Sequence, residues 1–240
     1  MSSTVLVMGV GSYLGGNYAS HLLDRGHTVV GSFSNDISSD KSILMSHKNF
    51  KGIVIDIERP QSFKEIVLRV SKLYAVSKIV SFWGFHRLNP ARSTKFEELN
   101  KSFVYNVSSN LEFIRCSLRH FKQLDRIVLT ASLAGVKPEK GLLSYSTSKA
   151  ALIAATKVLS LELAPRNISV NCVSPGWVNS PVSDKVLRNL RLDVADVESQ
   201  YPMGLGDVSD LFGIYDLLIS NESRWITGQN FILDGGRSLN

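Results

Sequence analysis

The stretch TVLVMGVGSYLGGNYASHLLDRG (residues 4–26) begins as an apolar, β-branched run and continues as an amphipathic one. The first part reads as a short strand, while Leu14, Tyr18 and His21/Leu22 recur at helical spacing up to the stop at Arg25-Gly26. Between them lies a turn containing Gly9, Gly11, Gly15 and Gly16, placed where a helix N-terminus receives a phosphate. Two registers fit this turn. Read as GxxxGxG, Gly9 and Gly15 are the outer glycines and Tyr13 takes the middle place; read as GxGxxG, Gly9 and Gly11 match and Leu14 takes the third. Either way a bulky residue stands where a glycine is expected.

The unit of strand, turn and helix repeats along the chain. Further strands are expected at HTVVGSF (27–33), GIVIDI (52–57), KIVSFW (78–83), DRIVLTA (125–131), ISVNCVS (168–174) and NFILD (230–234). Helices are expected at 61–73, 95–121, 145–164 and about 207–220. Near-continuous apolar strands alternating with helices imply an α/β fold, a doubly wound parallel sheet of about seven strands with helices on both faces. In such Rossmann-type sheets, ligands bind beyond the carboxyl ends of the strands. The irregular stretch 175–206 is too long for a bare connector. It is read as a substrate lid over about 176–206, within a single unit spanning 1–240.

Composition narrows the class. With 240 residues and 44% hydrophobic content the chain can bury one large core. Cys116 and Cys172 form neither a CxxC pair nor part of a histidine cluster, so neither a disulfide framework nor a metal site is expected. No leader pattern and no membrane-spanning run is evident, which gives a cytoplasmic expectation. The net charge of +6 is scattered along the chain and suits acidic small molecules or an acidic partner. No motif for nucleic-acid binding accompanies it.

Tyr145 and Lys149, in YSTSK, are four apart at a probable helix start and so share a face. An ammonium beside a phenol favours the phenolate and makes the tyrosine a better proton donor or acceptor near neutrality. Ser132, just past the strand DRIVLTA, brings a hydroxyl to the same crevice. These residues, with RIVLTASLAG (126–135), YSTSKAAL (145–152), VYNVSS (104–109), NCVSPGWVNSPV (171–182) and WITGQNFILDGG (225–236), resemble the short-chain dehydrogenase/reductase family over nearly the whole chain.

The resemblance implies roles, residue by residue. Tyr145 would protonate a carbonyl oxygen as hydride arrives, Ser132 would hydrogen-bond that oxygen, Lys149 would bind the nicotinamide ribose, and Asn106 would hold a relay water. The family's spacing favours the GxxxGxG register, and the cofactor would meet Gly9, Gly11, Ser12, Tyr13, Leu14 and Gly15 in the turn, with Ser34 beyond the second strand. Asp56 and Ile57 would lie near the adenine, with Asp56 read equally as a strand-end turn cap. Gly84, Tyr145, Lys149, Pro175, Gly176, Val178 and Ser180 complete the set.

Two departures concern the cofactor. SFWG (81–84) replaces the family's Asn-Asn-Ala-Gly, and Phe82 and Trp83 are read as core packing rather than a stacking platform. Phe33, followed by Ser34 and Asn35, stands where a carboxylate would select NAD(H), which favours NADP(H), although Asp36 lies close by.

The lid spacing resembles that of bacterial 3-oxoacyl-(acyl-carrier-protein) reductases. That implies an NADPH-dependent ketoreductase acting on a β-ketoacyl thioester, with Leu190, Leu192 and Met203 against the acyl chain. Arg166, with Arg119, Lys122 and Arg126, would then meet an acidic carrier protein. The family's habit implies a homodimer or homotetramer, with alanine-rich 150–155 allowing close helix packing. Two alternatives stand beside this reading: a reductase of a free small ketone, and a non-catalytic partner subunit in a hetero-oligomer.

Overall fold

The computed structural model describes residues 3–34, 42–181, 183, 187 and 193–240. Asn35, Asp36, Leu190 and Leu192 lie outside them. Seven strands form one sheet: β1 (Thr4–Met8), β2 (Thr28–Phe33), β3 (Phe50–Val54), β4 (Val76–Ser81), β5 (Arg126–Thr130), β6 (Ser169–Pro175) and β7 (Asn230–Leu233). Every pairing is parallel and the order is β3-β2-β1-β4-β5-β6-β7. The chain builds outward from β1 to β3, then returns to β4 on the other side of β1. The loops leaving β1 and β4 therefore diverge and open a crevice at the carboxyl ends of the strands.

Helices are α1 (Tyr13–Asp24), α2 (Ser42–Ser46), α3 (Phe63–Leu73), α4 (Phe96–Phe103), α5 (Ser109–His120), α6 (Leu143–Leu163), α7 (Val194–Glu198) and α8 (Phe212–Ile219). Side chains alternate across a strand, so β1 feeds two cores. Leu6 and Met8 pack with Phe63, Phe113 and Leu152 beneath α3, α5 and α6. Val5 and Val7 pack with Tyr18, Leu22 and Tyr215 beneath α1 and α8. Burial on both faces is why these strands are almost wholly apolar.

Several boundaries differ from the sequence reading. β3 ends at Val54 rather than at 57, level with the end of β2 at Phe33; Ile55 donates one last bond to the Phe33 carbonyl (2.8 Å). β4 ends at Ser81 rather than 83, where β1 turns away at Gly9, and Phe82 donates only to Met8 O. The helix expected over 95–121 is interrupted by a π turn at Val104–Ser108. There Asn110 Nδ2 donates to the carbonyls of both Tyr105 (3.3 Å) and Asn106 (3.2 Å). The helix expected at 207–220 begins as a 3-10 turn, Val208–Leu211, before α8. Among the described residues no helix is long and apolar enough to cross a membrane. Cys116 and Cys172 are buried and unbridged, and no cluster of metal-ligating side chains occurs among the described residues.

Candidate active site

The glycine turn leaves β1 and enters α1 through a tight local network. Ser12 caps α1: its Oγ donates to Gly9 O (2.8 Å) and accepts from Gly15 N–H (3.0 Å). Gly9 sits at φ +88°, and a Cβ on Gly15 would lie 2.4 Å from the Gly9 carbonyl oxygen. Nothing approaches the corresponding point on Gly11. Packing therefore selects the GxxxGxG register, in which Gly9 and Gly15 are obligatory and Gly11 is not. Tyr13 opens α1 with its ring 38% exposed, outside the apolar core. The amides of Tyr13 and Leu14, unlike that of Gly15, have no intrahelical acceptor and lie at the positive end of the helix dipole. This cradle, closed to any Cβ at Gly15, fits the pyrophosphate of a dinucleotide.

Phe82 and Trp83 both turn inward, as expected of core packing. Phe82 packs against Tyr18 and Tyr215 on one face of the sheet, and Trp83 against Phe63 and Phe113 on the other. The Trp83 indole donates to Ser32 Oγ (3.3 Å), which also accepts from Gly9 N–H (3.0 Å). The SFWG segment thus braces the glycine turn from beneath.

The chemistry-bearing residues meet past the ends of β4, β5 and β6. Ser132 caps a short 3-10 turn, Leu133–Gly135, that folds against α6. A Cβ on Gly135 would lie 2.9 Å from backbone atoms of Lys149 and Ala150, so this glycine, which the sequence reading passed over, sets how closely Ser132 approaches α6. Ser132 acts on the Tyr145 phenol in the direction of the phenolate, yet burial outweighs it and pushes the phenol above its usual range. That reverses the direction expected from the YxxxK spacing. The reason is geometric: Lys149 Nζ lies 5.7 Å from the Tyr145 ring centre and donates instead to the Thr130 carbonyl (2.7 Å). Burial also draws the Lys149 ammonium down to about 8.

Asn106 is fully buried within the π turn. Its Oδ1 accepts from Phe85 N–H (2.7 Å), and its Nδ2 donates to Phe85 O (2.9 Å) and Ser148 Oγ (2.8 Å). One amide thus ties the loop after β4 to α6. A Cβ on Gly84 would lie 3.3 Å from Asn106 Oδ1 and 3.4 Å from Lys149 Nζ, so that loop passes close to the lysine.

The remaining expected contacts are placed around this centre. Gly176, after Pro175, packs on Asp234 of the segment following β7, where a Cβ would be only 2.9 Å away. Val178 bridges to Gly206, and Ser180 Oγ pairs with Ser183 Oγ (2.8 Å). Ser34 is exposed beyond β2. Ile57 is a core residue, and Asp56 caps its own turn by accepting from Glu58 N–H (3.0 Å).

The basic residues assigned to carrier docking do not gather at this centre. Arg126 opens β5, at the opposite edge of the sheet from Ser132, and is buried, donating to Ser220 O (3.1 Å) and Asp125 O (3.0 Å). Arg166 lies at the far end of α6 from Tyr145, a helix of 21 residues and so about 30 Å long. It donates to the Leu118 carbonyl (3.0 Å), near exposed Arg119 and Lys122. A parallel sheet separates its two edges, and spacing along the chain does not reveal which edge a residue joins.

Fold and site together define a nicotinamide-dependent oxidoreductase: a doubly wound sheet with a glycine turn at a helix N-terminus and Ser132, Tyr145 and Lys149 past the ends of the strands. A family model described as enoyl-(acyl carrier protein) reductase matches residues 9–238. The chain belongs to this branch of the short-chain dehydrogenase/reductase family. It is 28% identical over 235 residues to 3-oxoacyl-[acyl-carrier-protein] reductase FabG of Escherichia coli strain K12, covering 96% of this chain and 95% of that protein. Over 110 residues, 46% of this chain and 40% of the relative, it is 36% identical to dehydrogenase/reductase SDR family member 4 of Pongo abelii. Among solved structures it resembles ElxO with NADP bound (TM-score 0.91, 23% identity, all of both chains) and 4-hydroxyisoleucine dehydrogenase complexed with NADH (0.90, 23%, all of both chains).

Proposed function

We propose that the chain is an NADPH-dependent ketoreductase that reduces the keto group of a β-ketoacyl thioester to the 3-hydroxyacyl product. The observation that carries this reading is the buried Tyr145 phenol with Ser132 acting on it and Lys149 alongside, in a chain that aligns over 96% of its length with a 3-oxoacyl reductase. A nicotinamide bound there would supply hydride to the carbonyl carbon. Ser132 donates a hydrogen bond to the carbonyl oxygen, and Tyr145 delivers the proton to the forming alkoxide, a pairing that stabilises charge where it develops. Lys149 and the glycine turn would hold the dinucleotide, and Asn106 fixes the loop that passes close to Lys149. Phe33 in place of a strand-end carboxylate supports NADPH over NADH. The segment 176–206 serves as the substrate lid of a single catalytic unit. Exposed Val158 and Leu161 on α6 support a homo-oligomer formed through that helix.

The remoteness of Arg166, Arg119 and Lys122 from Tyr145, and the burial of Arg126, favour a second reading, a reductase of free small ketones. Fluorescence titration with NADPH and NADH, followed by turnover of an acetoacetyl thioester mimic, tests both. Tighter binding of NADPH and turnover of the mimic are expected. Binding of neither dinucleotide at millimolar concentration overturns the enzyme reading, and turnover of plain ketones alone favours the second.

A further inference from the structure

His86 lies two residues beyond Gly84, on the loop that leaves β4, and its ring meets Tyr145 edge to face with centroids 5.6 Å apart. The backbone around it is pinned. Both the N–H and the C=O of Phe85 are held by the Asn106 amide. Further along, Asn89 donates to Gly141 O (2.8 Å) and bridges to Leu142, at the start of α6. Glu98 secures the same loop by pairing with Arg87 (3.0 Å) and accepting from Asn89 Nδ2 (2.6 Å).

The imidazole itself makes no hydrogen bond to any described residue, although it is exposed on one side and packed on the other. The packing lowers its affinity for a proton, so at neutral pH it presents one N–H donor and one acceptor. An imidazole set on a pinned backbone against the reactive tyrosine, with both nitrogens free of bonds to described residues, is placed to contact a ligand. The carbonyl under reduction is already served by Ser132 and Tyr145, which leaves His86 for a second acceptor a few bonds away.

We propose that His86 is a specificity residue: its ring N–H donates to a second oxygen of the substrate, so that the site prefers ketones carrying a neighbouring carbonyl, ester or thioester over plain ketones. This rests on the ketoreductase reading above and narrows its substrate class. Steady-state kinetics with acetoacetyl-N-acetylcysteamine and methyl propyl ketone test it in wild type, His86→Phe and His86→Gln. Phenylalanine keeps the edge-to-face contact and removes the donor, while glutamine restores one. For His86→Phe, KM for the thioester rises about 5- to 10-fold, with KM for the plain ketone and NADPH affinity unchanged, and His86→Gln recovers most of the loss. An equal change on both ketones, or none on either, overturns the assignment to His86 while leaving the ketoreductase reading intact. Failure of the wild type to reduce the thioester overturns that reading and the inference with it.

Discussion

Tyr145 and Lys149 illustrate how far spacing alone can be trusted at the scale of a residue. Four-residue separation on a helix does put both on one face, but it does not say which atoms meet. Burial raises the phenol, and the ammonium is engaged by the Thr130 carbonyl. Tyr145→Phe is expected to cut turnover by about 100-fold or more while dinucleotide affinity, read by fluorescence, stays within twofold. A near-wild-type rate would remove Tyr145 from the proton-transfer role. Lys149 carries a second prediction. Its folded value of about 8 lies below the ordinary 10.5, so the unfolded chain binds more protons between those two values and stability rises with pH across that window. Below it, the buried charge costs roughly 3 kcal/mol. Lys149→Met should raise the denaturation midpoint at pH 7 and flatten the rise toward pH 10 in urea melts, at the expense of turnover. An unchanged profile would show that the buried ammonium carries no such cost.

At the scale of the element, α1 and its turn were legible as a unit because strand and helix periods differ and the glycines fall between them. The GxxxGxG register, favoured by the family's spacing, acquires its physical reason from the neighbouring atoms: Gly15 abuts the Gly9 carbonyl, and Gly11 abuts nothing. Tyr13 then stands at the mouth of the cradle with an exposed ring. Tyr13→Gly is expected to tighten NADPH binding a few-fold by clearing the approach to the α1 amides, and to destabilise the helix by about 0.5–1 kcal/mol. Weaker binding would instead identify the phenol as a phosphate ligand. The long helix over 95–121 tells the opposite story. Its apolar spacing gives no sign of the π turn, because that turn is made by Asn110 bonding back to two carbonyls and by Asn106 reaching across to Phe85.

For the whole molecule, the parallel sheet separates its two edges, and this bears on docking. An acidic partner recognised by Arg119, Lys122 and Arg166 would sit at the edge opposite Ser132, held by long-range attraction that salt screens. Turnover of a small thioester should therefore be unchanged by Arg166→Ala and nearly flat with ionic strength. If charge at that edge guides a carrier protein, turnover of the carrier-linked substrate alone should fall with salt; a matching fall with the small thioester would place the relevant charge at the catalytic crevice instead.

The order of strands and helices, the phosphate turn and the Ser132, Tyr145 and Lys149 group could be read from the sequence alone. The first two rest on local periodicity and the third on the family resemblance of its motifs, and parallel α/β topology brings the carboxyl ends of successive strands together. Only tertiary structure decided that Phe82 and Trp83 face opposite cores, that Arg126 is buried, that Asn106 is a strut and that His86 stands against Tyr145. Those facts depend on contacts between distant segments, where packing rather than spacing determines which side chain reaches solvent, core or crevice.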